Sequence, residues 1–138
     1  MKKALLILFV AVASLTACKK DKSDTEKLEG RWNLTKEYSV YTVNGAKVDE
    51  DTETYAVGEF YIVFDGNNYQ VFEDGDLDDS GTFTISDNVI TINSKDGGSD
   101  TNNIRWNSNN EFVLVDEETG NNGGQSYSYR DESTFQKH

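Results

Sequence analysis

Large apolar residues recur at every second position through most of this chain, and short clusters of Gly, Asn, Asp and Ser break the runs. In Arg31-Trp32-Asn33-Leu34-Thr35-Lys36-Glu37-Tyr38-Ser39-Val40 they stand at 32, 34, 38 and 40. A period of two in β-favouring side chains predicts a long strand with one buried face. The same pattern returns in Phe60–Phe64, Tyr69–Glu73, Gly81–Ile85, Val89–Ile92, Ile104–Trp106, Phe112–Val115 and Ser126–Arg130. Between these runs lie Asn44-Gly45, Asp65-Gly66-Asn67, Asp74–Asp79, Ser86-Asp87-Asn88, Asp96–Asp100, Asn107–Asn110 and Gly120–Gly124. With no proline anywhere, Gly, Asn and Asp must make the turns. No segment shows a helical period, and no βαβ spacing occurs.

The expected fold is all-β. About eight sequential strands with short connections predict an up-and-down antiparallel β-barrel, whose closure removes the exposed edges of an open sheet. One face of each run is apolar and the other carries Thr, Ser, Asn or charge. The interior is therefore greasy and the exterior wet, the reverse of an outer-membrane barrel. Ala46–Val57 breaks the rhythm, being acidic and weakly patterned. It reads as a long flap over one mouth, with Tyr55 and Val57 on an apolar underside and Asp49, Glu50, Asp51 and Glu53 in water.

Ahead of the strands, Met1-Lys2-Lys3 and the apolar run Ala4–Ala13 form a secretory signal peptide. The run falls short of the roughly 20 residues that a membrane-spanning helix needs. Leu15-Thr16-Ala17-Cys18 then resembles a bacterial lipobox: an aliphatic residue, two small ones, and the cysteine that receives lipid. The resemblance implies cleavage before Cys18, lipid attachment there, and a cell-envelope location at the outer membrane. Lys19–Lys27 is wholly polar and cannot offset its own ordering entropy. The expected organisation is a lipoprotein signal peptide over 1–17, a flexible tether over 18–27 and a barrel domain over 28–138.

Charge and composition narrow the function. The 138 residues hold 25 Asp and Glu against 13 Lys and Arg, a formal charge of −12, and removing the signal peptide takes away two lysines and no acid. Such a surface repels nucleic acid. Cys18 is the sole cysteine, so the chain forms no internal disulfide, and a lipidated Cys18 leaves no thiol for chemistry. His138, the sole histidine, is the last residue, which leaves no histidine-based triad and no zinc site. Asp74, Asp76 and Asp78 mimic the start of a calcium loop, but Asp79 and Ile85 stand where an EF-hand needs glycine and glutamate. The reading is of a protein without catalytic residues, metal or cofactor.

Several segments together resemble a family. Gly30-Arg31-Trp32 is similar to the Gly-x-Trp opening of lipocalins. Phe64–Tyr69, the pair Gly81–Ile85 with Asn88–Ile92, and Ile104–Leu114 follow in the order of the small lipocalin-like lipoprotein domains of Bacteroidota-type bacteria. The resemblance spans about Leu28 to Arg130. It implies a barrel that binds a small apolar or amphipathic ligand, with Trp32, Tyr38, Tyr55, Phe60, Trp106 and Tyr129 as lumen or lid residues. It also places Arg130 over Trp32 at the closed end. The alternative is a filled barrel, because barrels of about eight strands have interiors that side chains can just fill. The chain is then a non-catalytic interaction module contacting an envelope protein or glycan.

Overall fold

The computed structural model describes residues 22–138. Cys18 and the segment read as a signal peptide lie outside the described residues. A short helix α1 (Asp24–Leu28) leads into nine strands: β1 (Gly30–Val43), β2 (Ala46–Thr54), β3 (Phe60–Asp65), β4 (Asn68–Glu73), β5 (Asp76–Ser86), β6 (Val89–Ser94), β7 (Ser99–Ser108), β8 (Glu111–Asn122) and β9 (Gln125–Lys137). Helix α1 falls partly in the segment read as tether. Its start is specified locally, since Ser23 Oγ accepts from the Glu26 amide while the Glu26 carboxylate accepts from the Ser23 amide.

Every sheet pairing is antiparallel. Strands β3 to β9 follow one another in order, β1 pairs with both β3 and β9, and the ring closes as an eight-stranded up-and-down barrel. Strand β2 stands outside the ring with β1 as its neighbour. Ala46–Val57 is thus not a flap. Its first nine residues form an outer strand in register with β1, from Val43↔Ala46 to Lys36↔Thr54.

The core fills the barrel. Leu28, Trp32, Leu34, Ile62, Phe64, Tyr69, Phe83, Ile90, Ile104, Phe112 and Phe135 form one buried cluster. Tyr55, Phe60, Val71, Ile85, Ile92, Trp106 and Leu114 pack against it from the rim. The aromatic rings meet edge to face at short range, with centroids of Trp32 and Phe112 4.8 Å apart, Phe64 and Phe83 4.9 Å, and Trp32 and Trp106 6.1 Å. Such geometry suits the ring quadrupoles and adds to the area buried.

The lower end, where β1 begins, is plugged. Leu28 of α1 is fully buried, and its carbonyl accepts the Trp32 indole N–H at 2.6 Å. Lys137 Nζ lies 5.1 Å from the Trp32 ring centroid and Lys27 Nζ lies 5.8 Å from that of Trp106. The cation over Trp32 is therefore Lys137. Arg130 instead bonds Glu132 and reaches Glu117. Arg130 pairs with Val40, far up the β1–β9 ladder from Trp32, which pairs with Lys137.

Candidate interaction surface

Four strands run past the upper rim of the barrel. The β1–β3 ladder stops at Asn33, and the β7–β8 ladder stops at Asn103↔Val115. Beyond those points β2, β1, β9 and β8 continue as a four-stranded sheet, with hairpin turns after Val43 and Asn122. Seven residues of β1, Glu37 to Val43, make this arm about 20 Å long at the usual rise per residue. None of 37–43, 46–54, 116–122 or 125–132 is buried. A sheet normally packs one face on something apolar. This one has two exposed faces.

A bulge decides which side chains each face carries. The β1–β9 register shifts between Leu34 and Lys36, so Thr35 is the extra residue. Leu34 and Phe135 point into the barrel as a pair, but the next inward pair is Glu37 and Ser133. Tyr38 and Val40, expected inside, are turned to the outer face beside Glu132 and Arg130. Tyr38 there donates to Glu50 Oε2 at 3.1 Å.

On the face continuing the barrel's interior, β1 presents Glu37, Ser39 and Tyr41, and β2 presents Asp49, Asp51 and Glu53 opposite them. Strand β9 adds Tyr127, Tyr129 and Asp131, and β8 adds Asp116, Glu118 and Gly120. Tyr41 and Tyr129 are directly paired. Tyr127 leans on Gly120, where a Cβ would collide with its hydroxyl and ring. A cleft of about 320 Å³ runs along this face between Glu37, Asp51, Glu53, Tyr129, Asp131 and Ser133. Apart from tyrosine, each titratable group at these paired positions is a carboxylate. The Asp131 carboxylate accordingly raises the Tyr129 hydroxyl's pKa above the ordinary phenol value.

The opposite face is charge-balanced. Arg105 makes two bonds to Glu132, at 3.0 and 3.4 Å, and Arg130 Nη2 lies 2.7 Å from the same carboxylate. Those bonds, Arg105 first, hold Glu132 below the usual carboxylate range. Lys47 Nζ lies 2.6 Å from Glu50 and lowers its pKa in the same way.

At the rim, tyrosines close the core against water. Tyr55 donates to Glu37 Oε2 at 2.6 Å, a bond that raises its pKa. Tyr69 donates to Asp79 Oδ2 at 2.6 Å, while Ser94 donates to the other oxygen at 2.7 Å. Burial first, and then Asp79, push Tyr69 up to about 12. A phenol held protonated is a poor base and a poor nucleophile.

The expected lumen residues therefore divide. Trp32, Phe60 and Trp106 come together in or against the packed core, Tyr55 seals the rim, Tyr38 faces outward, and Tyr129 stands on the arm with 44% of its surface exposed. Val57, paired with Tyr55 in the sequence reading, is 72% exposed and covers nothing. Among the described residues, no group of three or more His, Cys, Asp or Glu is placed to hold a metal ion, and no helix is long and apolar enough to cross a membrane. No protein-family profile matches the chain, and no curated protein matches it in sequence.

Proposed function

We propose that this protein is a lipid-anchored, non-catalytic interaction module of the bacterial cell envelope, of lipocalin-like descent, whose upper arm is its contact surface. The observation that carries the reading is the contrast between a barrel interior filled by Trp32, Trp106, Phe112 and their neighbours and a four-stranded sheet with neither face covered. The lipobox at Leu15–Cys18 supports the anchor. Helix α1 lies at the lower end, so lipid on Cys18 tethers that end to the outer membrane. The arm then points away, with the barrel as a spacer.

The alternative use of a lipocalin-like barrel is transport of an apolar molecule. A cavity that takes such a ligand measures about 300 Å³ or more and is lined mainly by apolar side chains. Four clefts among the described residues open instead on the outer surface and carry polar residues such as Asn68, Gln70 and Lys95 (beside Val63 and Tyr69), Glu37 and Asp131, Thr119 and Asn121, or Glu59 and Asp74. Titration with apolar fluorescent probes of several sizes tests the choice, read through Trp32 and Trp106 emission. The module reading expects no saturable uptake. Saturable quenching of these indoles would return the function to ligand carriage.

A further inference from the structure

The outer edge of β2 decides what kind of partner the arm suits. This inference rests on the module reading above and specifies its partner. Strand β2 is nine residues long, exposed throughout, and paired on one side. Along an antiparallel strand, alternate residues direct both N–H and C=O away from the existing neighbour. The free edge is therefore a row of unpaired backbone donors and acceptors, the template that an added strand uses.

Charge selects the added strand. Asp49, Asp51 and Glu53 lie on one face of β2, facing Tyr41, Ser39 and Glu37 of β1. Glu50, on the other face, already has Lys47, but among the described residues no ion pair reaches Asp49, Asp51 or Glu53. A second copy of the chain is a poor occupant. Two β2 edges in the central antiparallel registers set Asp49, Asp51 and Glu53 against one another, and like charges directly opposite are destabilising. A strand with Lys or Arg at alternate positions places a cation opposite each acid. Its long side chains also extend toward Tyr41, which faces Asp49 from β1 and whose ring face attracts cations.

We infer that β2 binds an extended, Lys- or Arg-bearing segment of a partner protein as an added fifth strand of the arm, with its cations on the Asp49–Asp51–Glu53 face. The edge thus discourages self-assembly and admits a cationic strand. Backbone pairing supplies the docking geometry, and alternating charge supplies the selectivity.

The test uses the purified full chain in non-ionic detergent and a fluorescent nine-residue peptide of alternating Lys and Thr, followed by anisotropy at physiological salt. Two control peptides accompany it: alternating Glu and Thr, and the Lys–Thr sequence with N-methylated backbone amides, which keeps the charge but cannot pair as a strand. Saturable binding of the Lys–Thr peptide alone is expected. The double change Asp49→Lys/Asp51→Lys should weaken it by about tenfold or more, because two attractive cross-strand pairs become repulsive. Both changes lie on an exposed strand outside the barrel, so thermal unfolding of the variant should match the wild type and exclude a folding defect.

Equal binding of the N-methylated peptide would reduce the effect to ionic attraction and overturn strand addition. No binding of any peptide would overturn it as well, as would a concentration-dependent dimer of the wild type that Asp49→Lys/Asp51→Lys abolishes. Peptide failure with no uptake of apolar probes removes this inference and leaves the module reading standing. Saturable probe uptake removes the module reading itself.

Discussion

The Trp32 indole N–H donates to the Leu28 carbonyl at 2.6 Å, joining the short helix to the first barrel strand beneath the core. Both residues are completely buried, so the bond works in a dry setting where an unpaired partner is costly. The plug follows from sequence at two levels. The Ser23–Glu26 capping box starts the turn, and Leu28 ends it facing inward. Leu28→Ala is expected to lower stability by about 2–5 kcal/mol, as buried leucine truncations do. Trp32→Phe, which orphans the Leu28 carbonyl and leaves a gap, should cost about 1–3 kcal/mol for the bond alone. Urea unfolding of each variant measures both, and a loss under about 1 kcal/mol for Leu28→Ala would mean that the plug is dispensable.

Alkaline stability reports on the rim. A free tyrosine ionises at 10.0, whereas Tyr69 holds its proton to about 12 because it is buried and bonded to Asp79. Below pH 10 its contribution is fully present. Between pH 10 and about 12 the unfolded chain ionises while the folded one does not, so stability falls with rising pH across that window. Tyr55, raised by its bond to Glu37, adds to the same slope. Tyr69→Phe and Tyr55→Phe should each flatten the alkaline limb of a stability–pH curve. Combining them should flatten it further than either change alone. An unchanged limb in the double variant would contradict the rim assignment.

Much of this architecture is legible in the sequence, and the exceptions share a cause. Period-two runs from Phe60 to Val115 mark the barrel strands because one face of each is buried. Strand β2 escapes that reading because Lys47–Thr54 buries neither face, so hydrophobic periodicity has nothing to register. The outer end of β8, Asp116–Asn122, escapes it for the same reason, whereas the outer end of β9 is legible through the alternation of Tyr127 and Tyr129. Tyr38 and Val40 were expected inside since their spacing from Trp32 is even, and a single extra residue at Thr35 reverses that parity. Phe135, by contrast, lies in the core within a run, Asp131–Lys137, too polar to show a period. As for function, Tyr129 and Tyr55 were legible as notable aromatics, but their positions depend on register and not on spacing.

Two glycines that both lack space for a side chain should respond differently to alanine. At Gly81 the new methyl would overlap the backbone carbonyl of Asn93 and press on the Tyr69 ring, so strands β5 and β6 must separate. At Gly120 its nearest obstacle is the Tyr127 side chain, which can swing off the arm. Gly81→Ala is expected to cost about 1–3 kcal/mol, the usual penalty of overpacking, and Gly120→Ala clearly less. Equilibrium unfolding of the pair decides it. The reverse order would mean that the arm, not the barrel wall, governs global stability.

The anchor proposal makes a separate prediction. With Cys18 lipidated, the protein partitions into detergent and sediments with membranes, since each buried methylene of an acyl chain contributes about 0.8 kcal/mol. Cys18→Ser should leave it unprocessed or free in solution. Mass spectrometry of the wild-type N-terminus checks the same point. An unmodified Cys18 thiol in the envelope fraction would refute lipid attachment.

The most direct measurement of the central claim is position-specific photocrosslinking in intact cells, with the reactive group at Val48 on the β2 edge or at Asn88 in the lower β5–β6 turn. Both sites are exposed, and they mark opposite ends of the molecule. The account predicts a discrete adduct from Val48, lost on Asp49→Lys/Asp51→Lys, and none from Asn88. Adducts from Asn88 alone, or from neither position while an apolar probe saturates the barrel, would contradict it.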